Sequence, residues 1–221
     1  MPTITTLPYL TYQVKNELKP GPLEGLSEKM IDQHWMLYKG YVTNVDLLNK
    51  TVWDCLDSGG ELNEPRMAEV QRRLGFEYNG MILHEYYFGA LKKGARAPSS
   101  SSDLHKKLGD DFGGFDRWRK QFVEIGKMRG VGWVIAYLDP FSQRFINAWV
   151  SDHEIGNITG FIPVVAMDVW EHAYVTDYGT NAEGREKYIE AFFRNLDWDV
   201  IAERLSLALQ SKVASRGKLL G

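Results

Sequence analysis

From Asp168 to Tyr174 the chain reads DVWEHAY, which sets an aspartate and a histidine four residues apart with a tryptophan between them and a glutamate beside the histidine. Only five histidines occur: His34, His84, His105, His153 and His172. Neutral imidazoles combined with a carboxylate suit iron, manganese or zinc. Three nitrogens and one oxygen would leave one coordination position for solvent or substrate. Asp168 and His172 can point the same way only if the chain turns after Trp170. On the residues alone several chemistries stay open. These are a redox metal centre, a 2-His-1-carboxylate oxygenase, a zinc hydrolase, or a helical interaction domain whose histidines are ordinary hydrogen-bonded residues. An oxygenase of that class would ask for a co-substrate pocket, usually in a β-rich barrel, and this chain carries too much helical pattern for one.

The elements that must position these groups fall into two regions. The first 25 or so residues, with Pro8, Pro20 and Pro22, read as extended. A helix is expected from GLSEKMIDQHW, with Ser27 as its cap and Glu28 at the positive end, continuing through YKGYVTNVDLLNKTVWDCL. RMAEVQRRLGFEYNGMILHEYYFGALKK reads as one or two further helices, Gly75 and Gly80 being the weak points. GARAPSSSSD, Gly94 to Asp103, is the expected boundary, and its serines read as a solvated link because no nucleophile elbow surrounds them. Beyond it, DLHKKLGDDFGGFDRWRKQFVEIGKMR predicts two helical pieces. VGWVIAYL and QRFINAWV, joined by DPFS, predict a hairpin, and PVVAMDVW a third strand ending near Asp168. REKYIEAFFRNLDWDVIAERLSLAL is helical in period, and the basic tail QSKVASRGKLLG is expected to fray. The expected fold is α+β. A helical hairpin domain spans residues 1–97, and an α/β domain with a small three-stranded antiparallel sheet spans residues 103–221.

Composition narrows the partners. A formal net charge of −3 gives no support for nucleic-acid binding. No apolar run reaches the ~20 residues that span a bilayer, and no secretory signal is evident, so a cytoplasmic, non-membrane protein is expected. Cys55 is the single cysteine, cannot close an intrachain disulfide, and reads as a buried thiol.

DVWEHAY, together with LPYL near the start, YVTN in the first helix and GVGWVIAYL before the hairpin, makes the chain resemble the iron/manganese superoxide dismutases over roughly residues 7 to 205. The resemblance implies a helical N-terminal and an α/β C-terminal domain with one iron or manganese ion per subunit between them. Its ligands would be His34, His84, Asp168 and His172. It implies superoxide as substrate, taken to oxygen and hydrogen peroxide by one-electron metal cycling, and a homodimer or a dimer-of-dimers tetramer. Glu171 resembles the residue that crosses the family's dimer interface to the last histidine ligand of the other subunit. Tyr41 resembles the gateway tyrosine, Arg185 the cation near the substrate funnel, and Trp133, Trp170 and Tyr87 the aromatic wall, with Phe88 where many members carry tryptophan. His105 matches no ligand and reads as a surface residue.

The chain departs from the family pattern at several points. His34 and Tyr41 are seven residues apart where the family usually has eight, as if a π-bulge had been lost. Leu37 or Tyr38 stands where many members have a second histidine, and Val175 where that histidine's interface partner, a tyrosine, would be. Gly80 replaces the glutamine of the iron-type pattern. His153 replaces the glutamine of the manganese-type pattern, which hydrogen-bonds metal-bound solvent. Iron and manganese are both compatible with that set.

Overall fold

The computed structural model describes residues 8–61 and 64–211. Leu7 of LPYL and residues 212–221 of the basic tail lie outside the described residues. Helix α1 (Glu28–Asp57) starts where Ser27 Oγ accepts the Met30 amide at 3.1 Å, with Glu28 in the first turn. Its buried stripe, Met30, Ile31, His34, Trp35, Tyr38, Val42 and Val45, follows the i, i+3/i+4 spacing of one helical face. The helix is α throughout, so a seven-residue interval puts His34 and Tyr41 two turns apart on one face without a bulge.

Helix α2 (Pro65–Phe88) opens on Pro65, whose missing N–H is no loss at a helix start. It runs unbroken through Gly75 and Gly80, because packing against α1 outweighs the propensity cost of two glycines. α1 and α2 thus form the helical hairpin, and both contribute to one continuous core with the sheet.

Helices α3 (Asp103–Phe112) and α4 (Phe115–Lys127) meet at Gly113 and Gly114, both with positive φ, the geometry that favours glycine. The sheet follows: β1 (Gly132–Asp139), β2 (Arg144–Ser151) and β3 (Ile162–Asp168), in the order β2-β1-β3 and antiparallel throughout. The central strand β1 is buried along almost its whole length, which explains its unbroken apolar run. The fold is therefore α+β, with a helical hairpin and a C-terminal α/β region around three antiparallel strands.

β3 stops at Asp168, two residues short of the apolar stretch. A 3-10 turn (Glu171–Ala173) and a single helical turn, α5 (Val175–Tyr178), follow. The closing helical pattern divides at Leu196 into α6 (Ala182–Asn195) and α7 (Trp198–Gln210), with Asp197 capping the second. That corner pairs with the chain just past α2: Leu91 bridges Leu196, Lys92 N donates to Asn195 O (2.7 Å), and Asp197 N to Ala90 O (2.8 Å). Cys55 is half-buried near the far end of α1, less enclosed than a core thiol. His105 is half-buried too, its ring stacked on Phe115 at 4.7 Å.

Candidate metal centre

Four elements bring four side chains to one point. His34 comes from the core face of α1, His84 from the last turns of α2, Asp168 from the end of β3, and His172 from the 3-10 turn beyond it. Their ligand atoms all lie within 4.8 Å of one another. The Nε2 atoms of His34, His172 and His84 stand 3.0, 3.2 and 3.7 Å from the same oxygen, Asp168 Oδ2. The other oxygen, Oδ1, accepts the Trp170 amide at 2.7 Å. That contact makes the turn after Trp170 and holds the carboxylate so that Oδ2 faces the imidazoles.

The backbone of Asp168 is fixed as well. The Tyr188 hydroxyl donates to the Asp168 carbonyl (2.6 Å) and lies 3.2 Å from the Tyr87 hydroxyl. Sheet register sets Trp133 of β1 directly opposite Asp168, so the indole falls beside the cluster, 5.1 Å from the His84 ring. Tyr87 and Phe88 close the His34 side at 5.0 and 4.8 Å, and Trp170 stacks 5.7 Å from His172. The aromatic wall therefore comes from α2, β1 and the β3 turn together.

The electrostatics call for a cation. Burial lowers the pKa of His34 and pushes that of His84 well down, so both rings are neutral at pH 7. Burial alone would raise Asp168, but its contacts with His172, then the hydrogen bond of His34, outweigh it and hold the carboxyl well below its usual range. His84 Nδ1 donates to Gly80 O at 2.6 Å, so its Nε2 carries only a lone pair. That nitrogen is buried with no hydrogen-bond partner among the described residues and faces an ionised carboxylate oxygen. Two lone pairs turned toward each other in a dry pocket are satisfied by a positive ion between them. A neutral-imidazole and carboxylate set fits one iron or manganese ion.

The remaining expected residues divide. Tyr41 and His153 come together: His153 Nε2 lies 2.6 Å from the Tyr41 hydroxyl, and His153 Nδ1 accepts from Trp133 Nε1 at 2.9 Å. Burial lowers the His153 pKa to about 4 against the opposing pull of Asp168, whereas burial, with the charges of Asp168 and Glu77, raises that of Tyr41. Both groups are neutral at pH 7. Since Nδ1 is an acceptor, Nε2 carries the proton and donates to Tyr41. Both ring nitrogens thereby have a protein partner, which sets the His153 ring beside Tyr41 and against Trp133. Gly80 makes room for this pair, because a Cβ there would fall 2.7 Å from Tyr41 Cδ1.

Arg185 is buried. Its Nε donates to Gly126 O (2.7 Å) and Nη1 to Gly130 O (2.8 Å), while Nη2 is buried with no hydrogen-bond partner among the described residues. Glu171 is exposed, and with Arg129, Tyr174 and Arg185 it lines a cavity of about 300 Å³. At the departed positions, Tyr38 is fully buried and Leu37 exposed. Tyr38 donates to Glu85 (3.0 Å) and accepts the Lys15 amide (3.1 Å), and burial lifts its phenol to about 12. Val175 is half-buried.

Sequence reasoning passed over Tyr188, Asn157 and Glu77. Asn157 holds the His153 carbonyl at 2.8 Å, and Glu77 is a buried carboxylate near Tyr41. Only a charged residue on the core side of a helical pattern marked Glu77 in advance.

Residues 100–204 match the family described as iron/manganese superoxide dismutases, C-terminal domain. Over 201 residues the chain is 36% identical to a superoxide dismutase [Fe] of Aquifex pyrophilus, covering 89% of this chain and 92% of that one. The chain belongs to the iron/manganese superoxide dismutase family. The dismutase is also 35% identical over 199 residues to a superoxide dismutase [Fe] of Cupriavidus metallidurans (87% and 94% covered). It is 30% identical over 202 residues to superoxide dismutase [Mn] 2 of Haloferax volcanii (88% and 97%). Membership and the four-ligand cluster together make the dismutase an enzyme that converts superoxide to oxygen and hydrogen peroxide at one mononuclear iron or manganese centre.

Proposed function

We propose a division of labour around that centre. Bound at His34, His84, Asp168 and His172, the metal supplies the one-electron couple that zinc lacks. The protein must admit the anion, exclude bulk water and deliver protons, since dismutation of two superoxide anions consumes two protons. Tyr41 is the donor in this reading. His153 gives its Nε2 proton to the phenol oxygen, which leaves the phenol's own proton directed elsewhere, and a raised pKa keeps that proton on at pH 7. Trp133 fixes the His153 tautomer from the other side. The single observation that carries the relay is the 2.6 Å contact between His153 and Tyr41.

Arg185 supplies positive potential from beneath the cavity wall, with one N–H pair unpartnered. Glu171, exposed on that wall, bonds His172 of a second copy across a two-fold axis, giving a homodimer or a dimer of dimers. The two domains, 1–97 and 103–221, dock through the shared metal. The lone, unbridged cysteine supports a reducing, cytoplasmic setting. Among the described residues no helix is long and apolar enough to cross a membrane. The relatives are named for iron in some cases and manganese in others, and either metal suits this ligand set.

The test is reconstitution of metal-free protein with iron and with manganese separately, followed by superoxide turnover per bound ion, beside His84→Ala. Turnover with at least one metal is expected, and His84→Ala should lose stoichiometric metal and activity together. Full occupancy with unchanged turnover in that variant would refute the ligand set.

A further inference from the structure

Helix α2 carries a charged group next to the Tyr41–His153 pair that the reaction as described does not use. Glu77 is buried, with its side chain only 5% exposed. Its Oε1 takes Arg73 Nε at 2.8 Å and its Oε2 takes Asn44 Nδ2 at 3.1 Å. Asn44 lies one turn beyond Tyr41 on α1, so Glu77 ties the two helices together beside that tyrosine. The Arg73 guanidinium lies over the Phe76 ring, 3.8 Å from its centroid. Phe76 in turn meets the His153 ring edge-on at 4.6 Å and the Tyr41 ring at 6.1 Å. The neighbouring Arg72 reaches Glu154, the residue after His153, at 3.6 Å. Two consecutive arginines of α2 thus hold the His153 loop, one by its backbone neighbour and one through an aromatic plate.

We infer that Glu77 is a positioning residue for the dismutation reaction: by fixing Arg73 over Phe76 it holds the His153 ring against Tyr41 and keeps water from the outer side of their hydrogen bond. The inference rests on the relay reading of Tyr41 and His153. A buried carboxylate is costly unless paired, and here both oxygens are satisfied, one by Arg73, which covers Phe76, and one by Asn44 of α1. Without the pair, Arg73 (43% exposed) is free to swing into solvent. Phe76 then loses its cover, and His153 can trade its Tyr41 contact for water. Displacements of this kind act on rate more than on folding, since misplacement by about 1 Å can lower turnover by ~10²-fold.

The test uses Glu77→Gln, Arg73→Gln and the double variant, with Tyr41→Phe and His153→Ala as references. Zinc-loaded protein, which is diamagnetic, is labelled with 15N-histidine, and long-range 1H–15N spectra report the His153 tautomer. The parent should show a single Nε2–H form. Each single variant should show exchange between tautomers, and turnover per bound iron or manganese should fall about tenfold. The double should fall no further than the worse single, because the pair acts as a unit. A merely structural brace would lower the melting temperature and leave the tautomer unmoved. Parental tautomer and turnover in both singles, with Tyr41→Phe and His153→Ala impaired, would overturn the inference and leave the relay standing. If the two reference variants also kept full turnover, the relay itself would be wrong. Should Glu77→Gln fail to accumulate, the half-exposed Arg73→Gln carries the same comparison.

Discussion

Gly80→Ala is a one-carbon perturbation aimed at the relay. An alanine Cβ would sit 2.7 Å from Tyr41 Cδ1, 2.8 Å from Cε1 and 3.0 Å from Cγ. Carbon atoms rest at about 3.5 Å or more, so the ring must retreat by about 0.8 Å. The contacted atoms lie along one edge of the ring, from its attachment point to the carbon beside the phenol position. Moved along its axis by that amount, the 2.6 Å bond to His153 would stretch to about 3.4 Å, where a hydrogen bond is largely lost. Overpacking costs about 1–3 kcal/mol and the broken bond about 1 kcal/mol, against a helix-propensity gain of about 1 kcal/mol. The net is a destabilisation of about 2 kcal/mol, or roughly 4–8 °C in Tm for a chain of this size. Turnover at matched metal content should fall about tenfold, while the ligands, and so metal binding, stay intact. Gly40→Ala is the control: nothing lies within 4 Å of a Cβ there, so it should raise stability by up to about 1 kcal/mol and leave turnover unchanged. Stopped-flow superoxide decay and calorimetry on both variants decide the matter. Parental rate and Tm in Gly80→Ala would refute the claim that this glycine is required by the Tyr41 ring.

His153→Ala strips partners from Tyr41 and from the Trp133 indole. It should keep the metal, lower turnover and reduce stability by about 1–3 kcal/mol, whereas His153→Gln should retain substantial activity; metal analysis with matched-content kinetics checks both. If the proposed two-fold contact forms, Glu171→Ala should weaken that dimer and loosen metal retention, read by sedimentation equilibrium and dialysis against chelator; an unchanged assembly state would exclude its interface role. In metal-free protein His153 makes stability fall in acid. Its folded pKa of about 4 lies below the unfolded value of ~6.5, so the unfolded chain takes the proton first. The contribution of about 3 kcal/mol is whole above pH ~6.5, drains as pH falls toward ~4 and is gone below. His34 and His84, also lowered by burial, act in the same direction. Urea midpoints across that range should therefore shift less in His153→Gln than in the parent.

Local patterns marked most of the elements, and the family resemblance named the ligands. Apolar spacing marks the buried face of α1 that carries His34, Ser27 marks its start, and the DPFS joint marks the β1–β2 hairpin. These signals are local, because a helix face, a cap and a tight turn are set by residues within a few positions of one another. Periodicity did not fix whether α2 breaks at its glycines or where the last helical stretch divides. The first is decided by packing against α1, and the second by the corner at Leu196, which pairs with the end of the first region. DVWEHAY carried Asp168 and His172, but their convergence depended on a turn that Asp168 itself makes through the Trp170 amide.

Distance and direction at the site were decided only in three dimensions. The His153–Tyr41 bond joins residues 112 positions apart, and no local pattern reveals that both nitrogens of His153 are taken. Arg185 was legible as a cation near the site, yet its burial and its donation to two carbonyls follow from how α6 packs on the end of α4. Glu77, passed over in the sequence, is enclosed by the fold between Arg73 and Asn44. The physical reason is the same in each case. Residue type sets which chemistry a side chain can do, while burial and long-range contacts set its protonation, its partner and the direction in which it points.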